Sequence, residues 1–206
     1  KFYITTAILY TNGPPHIGFA LELLQADVIA RYHRWIGDDV RFLTGTDEHG
    51  ATVVKGAIKA GKDVKEFVDE MAGKTTDLTK ALNISNDDFI RTSDRTRHWP
   101  GAQKIWRELE AKGDLYKMND EGLYCVGHAA FMKKRDLVDG VCPLHKTEPK
   151  KVKEENWFFK LMKYKSEVKK KIENDELKIV PASRKNEILN LFDDAEDVSF
   201  SRPSKD

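Results

Sequence analysis

Tyr10-Thr11-Asn12-Gly13-Pro14-Pro15-His16-Ile17-Gly18-Phe19 is the stretch from which the fold can be read. Before it, Phe2 to Thr6 is a short β-prone run, and within it Gly13-Pro14-Pro15 breaks the chain. After it, Ile17, Leu21, Leu24, Val28, Tyr32 and Trp35 recur at three- and four-residue steps. That spacing predicts one apolar helical face, closed by Gly37 as the C-terminal cap. Val40 to Thr44 predicts a second strand, so the opening reads as β-turn-α-β. Strands alternating with helices imply an α/β fold, with a parallel sheet covered by helices. Ligands of such sheets sit outside the carboxyl ends of the strands, often beside a helix N-terminus.

Two clusters fall at those places. One is the Tyr10–Phe19 stretch itself; the other, Thr44-Gly45-Thr46-Asp47-Glu48-His49-Gly50, follows the second strand at once. Small residues let backbone approach a ligand closely. His16, at a helix start, can donate to a phosphate, and Asp47 can accept from a substrate ammonium. Taken singly, the first cluster is equally a Gly-Pro turn and the second a helix cap. Two of them at the mouth of one sheet favour a binding site.

Further along, Asp63 with Glu66 makes a capping-box-like start to a helix over 63–82, with Val64, Phe67, Val68, Met71 and Leu78 on its apolar face. Pro100 sits where a first helical turn tolerates it, and Gly113 ends that helix. His98 and Trp99 precede it and read more readily as packing than as pocket lining. Lys160 to Asn174 is a basic amphipathic helix: Leu161, Tyr164, Val168 and Ile172 face inward, while Lys163, Lys165, Lys169, Lys170 and Lys171 face outward. Together with Lys146, Lys150, Lys151 and Lys153 these form either a solvated face or a patch for nucleic acid.

Both cysteines lie in one window. Cys125-Val126-Gly127-His128 is followed by thirteen residues and then by Cys142-Pro143-Leu144-His145. Two residues separate the members of each pair, so each tight turn can present two ligands to a tetrahedral ion. Sulfur and nitrogen sets of this kind suit zinc, and four protein ligands make a structural rather than a catalytic site.

Composition bounds the rest. With 35 Lys+Arg against 34 Asp+Glu the net charge is +1, which excludes a polybasic protein but not a local basic face. No run approaches the roughly 20 apolar residues of a membrane span. The opening reads as a strand rather than a signal peptide, and two cysteines make no disulfide framework. A soluble cytoplasmic protein without membrane association is therefore expected.

The run Ile4-Thr5-Thr6-Ala7-Ile8-Leu9-Tyr10 through Gly18 resembles the first signature of the class I aminoacyl-tRNA synthetases, which ends in His-Ile-Gly-His. Phe42-Leu43-Thr44-Gly45-Thr46-Asp47-Glu48-His49-Gly50 resembles the methionyl enzymes in particular. So do Asn156-Trp157-Phe158-Phe159, Arg184-Lys185-Asn186-Glu187 and Ser199-Phe200-Ser201-Arg202-Pro203, in that order. The resemblance implies the first half of a Rossmann-like nucleotide-binding fold over 1–114. It further implies a connective zinc-knuckle insertion over 115–156 and a helical return over 157–206. The implied reaction joins methionine to ATP, with magnesium, and passes the aminoacyl group to tRNA. His16 would donate to the ATP phosphates, Gly18 would allow the adenine-side approach, and Arg202 would act on substrate or ATP. Asp47 would hold the methionine ammonium, with Ala7, Ile8 and Tyr10 lining the amino-acid pocket. Cys125, His128, Cys142 and His145 would hold zinc, although the methionyl enzymes commonly place cysteine where His128 stands.

Two departures qualify the resemblance. The fourth motif position is Phe19, which cannot hydrogen-bond a phosphate, and losing one transition-state donor costs about 10²–10³ in rate. Either a neighbouring donor substitutes, or activation is slow, or it is absent. A Lys-Met-Ser-Lys-Ser loop and the second half of the nucleotide-binding fold do not occur in the chain. An amino-terminal part is thus expected, inactive alone, partnered by the carboxyl-terminal half and prone to dimerise through exposed apolar surface. Phe19 and the missing loop also leave room for a non-catalytic tRNA- or protein-binding module derived from a synthetase.

Overall fold

In the computed structural model, residues 1–125, 127, 130–132, 134–193 and 195–201 are described, though not the side chains of residues 120, 121, 130, 131 and 135. The chain divides within a helix into two compact units, residues 1–104 with 125–130, and residues 105–124 with 131 onward.

The first unit is built on β1 (Phe2–Thr5), β2 (Leu9–Tyr10), β3 (Val40–Asp47) and β4 (Asp88–Arg91). All pairings are parallel: β1 and β2 share one edge of β3, and β4 takes the other. The helices are α1 (Ile17–Trp35), α2 (Ala51–Ala60), α3 (Val64–Ala81) and α4 (Trp99–Ala111), the last crossing into the second unit. The expected parallel sheet with covering helices is present, and β3 runs three residues further than the sequence implied, to Asp47.

Capping fixes the helix ends. Asp63 accepts from the backbone N–H groups of Lys65 (2.8 Å) and Glu66 (3.3 Å), as the sequence led one to expect. The α1 helix runs into Gly37 at a φ of 93°, a left-handed turn that suits glycine. Gly45 lies inside β3, where an added Cβ would stand 2.0 Å from the Ile90 carbonyl oxygen. Only a bare backbone lets β4 pack there.

The α1 helix does not pack most of its larger apolar residues on the sheet. Its inward face is Phe19, Ala20, Leu23, Ala26, Asp27 and Ala30, all buried. The larger apolar residues point out: Ile17 is 87% and Trp35 82% exposed, and Leu21, Leu24, Val28 and Tyr32 are exposed with them. Small alanines bring the helix close to the sheet, where Ala26 and Ala30 pack on Phe42 with Ile4, Val40 and Ile84 beside them. Asp27 stays buried because Ser85 N–H (2.7 Å), Ser85 Oγ (2.5 Å) and Arg31 Nε (2.6 Å) all donate to it.

The second unit is antiparallel. Its sheet has the order β6-β5-β7-β8, from β5 (Leu115–Cys125), β6 (Ala130–Met132), β7 (Lys150–Phe159) and β8 (Val198–Ser199). β5 and β7 pair from Leu115↔Phe159 to Tyr124↔Lys150, so β7 passes unbroken through residues 156 and 157. Helices α5 (Leu161–Glu173) and α6 (Lys185–Asp193) follow. Trp106 packs edge-on to Trp157 at 5.5 Å, and Phe159 stacks on Tyr164 at 5.6 Å. Buried Asp114 accepts from Lys163 Nζ at 2.5 Å and from the Tyr164 hydroxyl.

Candidate active site at the sheet mouth

Three neighbouring strands end together. Tyr10 is the register partner of Asp47, and Arg91 is the partner of Thr46, so β2, β3 and β4 present their carboxyl ends side by side. The backbone N–H of Thr11 extends this join by donating to the Asp47 carbonyl at 3.0 Å. The two clusters of the sequence are thereby brought into one place. Ala7, Ile8 and Tyr10 are exposed there, Tyr10 at the end of β2 and the other two between β1 and β2. At the break between β1 and β2, the Ala7 N–H donates to Glu22 Oε1 at 2.6 Å, and the Thr6 hydroxyl donates to the Ala7 carbonyl at 2.7 Å. A recess lined by Phe2, Tyr3, Asp39, Val40, Arg41 and Asp87 lies at the opposite strand ends and gathers none of these groups.

His16 is the N-cap of α1. Its backbone is extended, and its Nδ1 accepts from the Gly18 N–H at 3.1 Å. An accepting Nδ1 puts the neutral ring's proton on Nε2, so an exposed donor faces solvent at a helix N-terminus. Gly18 makes this possible, since a Cβ there would meet the ring at 3.0 Å. Phe19 is 4% exposed and belongs to the core, so its side chain offers nothing at the mouth.

The Asp47 carboxylate is half-buried and held loosely. Its Oδ1 accepts from the His49 N–H at 3.4 Å and from the Thr92 hydroxyl at 3.5 Å. Next to it, Glu48 is fully buried, and its Oε1 accepts from Thr46 Oγ1 (2.7 Å) and Arg91 Nε (2.6 Å). Ser93 Oγ donates to Oε2. Arg91 also donates to Asp69 Oδ1 at 2.6 Å. Hydrogen bonds from Lys65 and Arg91 hold Asp69 below the usual carboxylate range, and the bond to Glu48 raises Arg91 further still. Thr92 is equally central: its Oγ1 accepts from Glu48 N–H at 2.8 Å, and its carbonyl accepts from Trp99 Nε1 at 3.1 Å. Trp99 is thus a support bonded just beyond the end of β4. Sequence reading did not single out Arg91 or Thr92, nor the strand β4 at whose end they lie.

Elsewhere, Cys125 and Cys142 are both buried, and Cys142 Sγ lies 3.5 Å from His145 Nδ1. The His145 N–H donates to Cys142 Sγ at 3.3 Å, a tight turn of the kind the Cys-x-x-His spacing implied. His128 and Arg202, also expected in sites, lie outside the described residues. On α5, Lys163 pairs with Asp114 and Lys169 with Asp193, while Lys165 donates to the Asp193 carbonyl and Lys171 approaches Glu167 and Glu176. Most of that face is therefore committed to local ion pairs. Among the described residues, no helix is long and apolar enough to cross a membrane.

A family model described as tRNA synthetases class I (M) matches residues 2–151. The chain belongs to that family. Among methionyl-type relatives, it is similar to methionine–tRNA ligase of Thermotoga maritima, with 44% identity over 98% of this chain and 33% of the relative. Methionine–tRNA ligase of Brucella suis is 41% identical over all of this chain and 41% of its own length. The solved structure of Mycobacterium tuberculosis methionyl-tRNA synthetase in complex with methionyl-adenylate superposes with a TM-score of 0.91 at 37% identity, covering all of this chain and 41% of that one. The apo form of that enzyme gives a TM-score of 0.77. The chain thus spans between 33% and 41% of the length of these relatives.

Proposed function

We propose that this chain supplies the methionine- and ATP-holding part of a methionine–tRNA ligase, acting with the carboxyl-terminal half of the enzyme. The observation that carries this is the pairing of Tyr10 with Asp47 at the sheet mouth, joined by the Thr11–Asp47 hydrogen bond. Family membership and the adenylate-bound relative agree with it. In the first step a carboxylate oxygen of methionine bonds to the α-phosphorus of ATP as the bond to pyrophosphate breaks. Asp47 would accept from the methionine ammonium, with Ala7, Ile8 and Tyr10 around the side chain. The Nε2–H of His16 would donate to phosphate oxygens as charge builds on them. Gly18, besides making room for the His16 ring, would leave the adenine side open, and Arg202 would act on substrate or ATP. Magnesium bound with ATP would neutralise phosphate charge. Transfer of the aminoacyl group to tRNA would complete the reaction.

In the full-length enzyme, His16→Ala is expected to slow methionine-dependent pyrophosphate exchange by about 10²–10³ while leaving methionine affinity nearly unchanged. Asp47→Asn should weaken methionine binding, as measured by calorimetry. Unaltered binding by that variant would overturn the assignment.

Zinc is proposed at Cys125, His128, Cys142 and His145, inside the segment 115–156. The donor chemistry fits: ligands of a tetrahedral zinc at about 2.3 Å stand about 3.8 Å apart, close to the 3.5 Å between Cys142 Sγ and His145 Nδ1. Metal analysis should find one zinc per chain, lost in Cys142→Ser. A well-folded preparation without metal would refute the site. The alternative of a non-catalytic tRNA-binding module draws no support from α5, whose lysines are largely paired with nearby acids.

A further inference from the structure

The geometry points to Glu48, Arg91 and Thr92 as positioning residues for the substrate-holding carboxylate of Asp47, an inference that rests on the ligase function proposed above. Glu48 follows Asp47 directly and is 0% exposed at its side chain. A buried carboxylate persists only where charge and donors compensate it. Here Arg91 supplies the charge at 2.6 Å, with the hydroxyls of Thr46 and Ser93 completing the shell. Arg91 is itself steadied from α3 by Asp69 at 2.6 Å. The end of β3 is therefore clamped one residue beyond the group that meets substrate.

Thr92 carries that clamp to Asp47. Its hydroxyl accepts from the Glu48 N–H at 2.8 Å, and its own single proton is directed at Asp47 Oδ1, 3.5 Å away. Its backbone is fixed on both sides, by the Thr92 N–H to the Thr46 carbonyl at 3.1 Å and by Trp99 Nε1 to the Thr92 carbonyl. Among the described residues no partner reaches Asp47 Oδ2. One oxygen is thus held while the other stays available to an ammonium group.

The test uses the full-length enzyme and two ligands: methionine, and 4-(methylthio)butanoate, which lacks the amino group. Thr92→Val keeps the shape and removes the hydroxyl. It should raise the methionine dissociation constant about tenfold and leave the amine-free analogue and the KM for ATP unchanged. Thr92→Ser should restore methionine binding, and Glu48→Gln should repeat the Thr92→Val pattern. Equal weakening of both ligands, or no rescue by serine, would overturn the positioning role. If Asp47→Asn discriminates between the two ligands but Thr92→Val and Glu48→Gln do not, the positioning role fails while the ligase function stands. If Asp47→Asn itself does not discriminate, the ligase function fails first. Should Glu48→Gln not fold, the Thr92 pair alone decides the matter.

Discussion

The two faces of α1 carry opposite chemistry for their surroundings. The face against the sheet is half alanine, with Phe19, Leu23 and a buried Asp27, whereas the face turned away carries Ile17, Leu21, Leu24, Val28, Tyr32 and Trp35. Hydropathy alone would turn the helix round. Helix packing on a sheet rewards closeness as well as apolar area, and Ala26 and Ala30 let the backbone settle against Phe42. Asp27 faces inward because Ser85 and Arg31 satisfy it, and Arg34 ties the same loop through Ser85 and Asp87. The comparison teaches that periodicity identifies a helix, while residue size and polar partners decide which side the sheet takes.

The sharpest way to break this comparison is Leu23→Ala. Leu23 is fully buried on the inner face, and its truncation should cost about 2–5 kcal/mol in chemical denaturation. A cost near zero would mean that the inner face is not packed. A smaller effect should come from acid. Burial pushes the Asp27 carboxyl up, but the hydrogen bonds from Ser85 and Arg31 outweigh it and hold the group below its ordinary value. A carboxyl depressed in the folded state contributes stability above its unfolded value of about 3.9 and loses it as pH falls through the folded one. Denaturation midpoints followed downward from about pH 5 should therefore fall more steeply for the parent than for Asp27→Asn. The smallest effect belongs to the outer face, where Val28→Ser should stay within about 0.5 kcal/mol. A large loss there would show that the stripe is covered in solution.

What the sequence disclosed follows the same division between local and distant causes. The Asp63 cap depends on residues two and three positions away and could be read directly. The strand-turn-helix opening and the Thr44–Gly50 cluster were also legible, because glycine, proline and a strand end mark them locally. The Glu48–Arg91 pair joins residues 43 positions apart, and no periodicity announces it. The ten-residue register of β5 with β7 was hidden for the same reason, since charged residues such as Lys151, Lys153 and Glu155 interrupt its apolar pattern. Phe19 looked like a defect in a catalytic motif, and its burial shows a residue recruited by the interior.

Gly45 has a reach out of proportion to its size. With the Ile90 carbonyl lying where a methyl group would go, every substitution there wedges β3 from β4. Ile90 precedes Arg91 and Thr92, so the wedge would open between the two strands just where Asp47 and Glu48 take their bearings from the β4 side. A single hydrogen atom at this position serves as the gauge block for the whole mouth, and a one-carbon change would be felt as misalignment two residues away rather than as a hole or a lost charge.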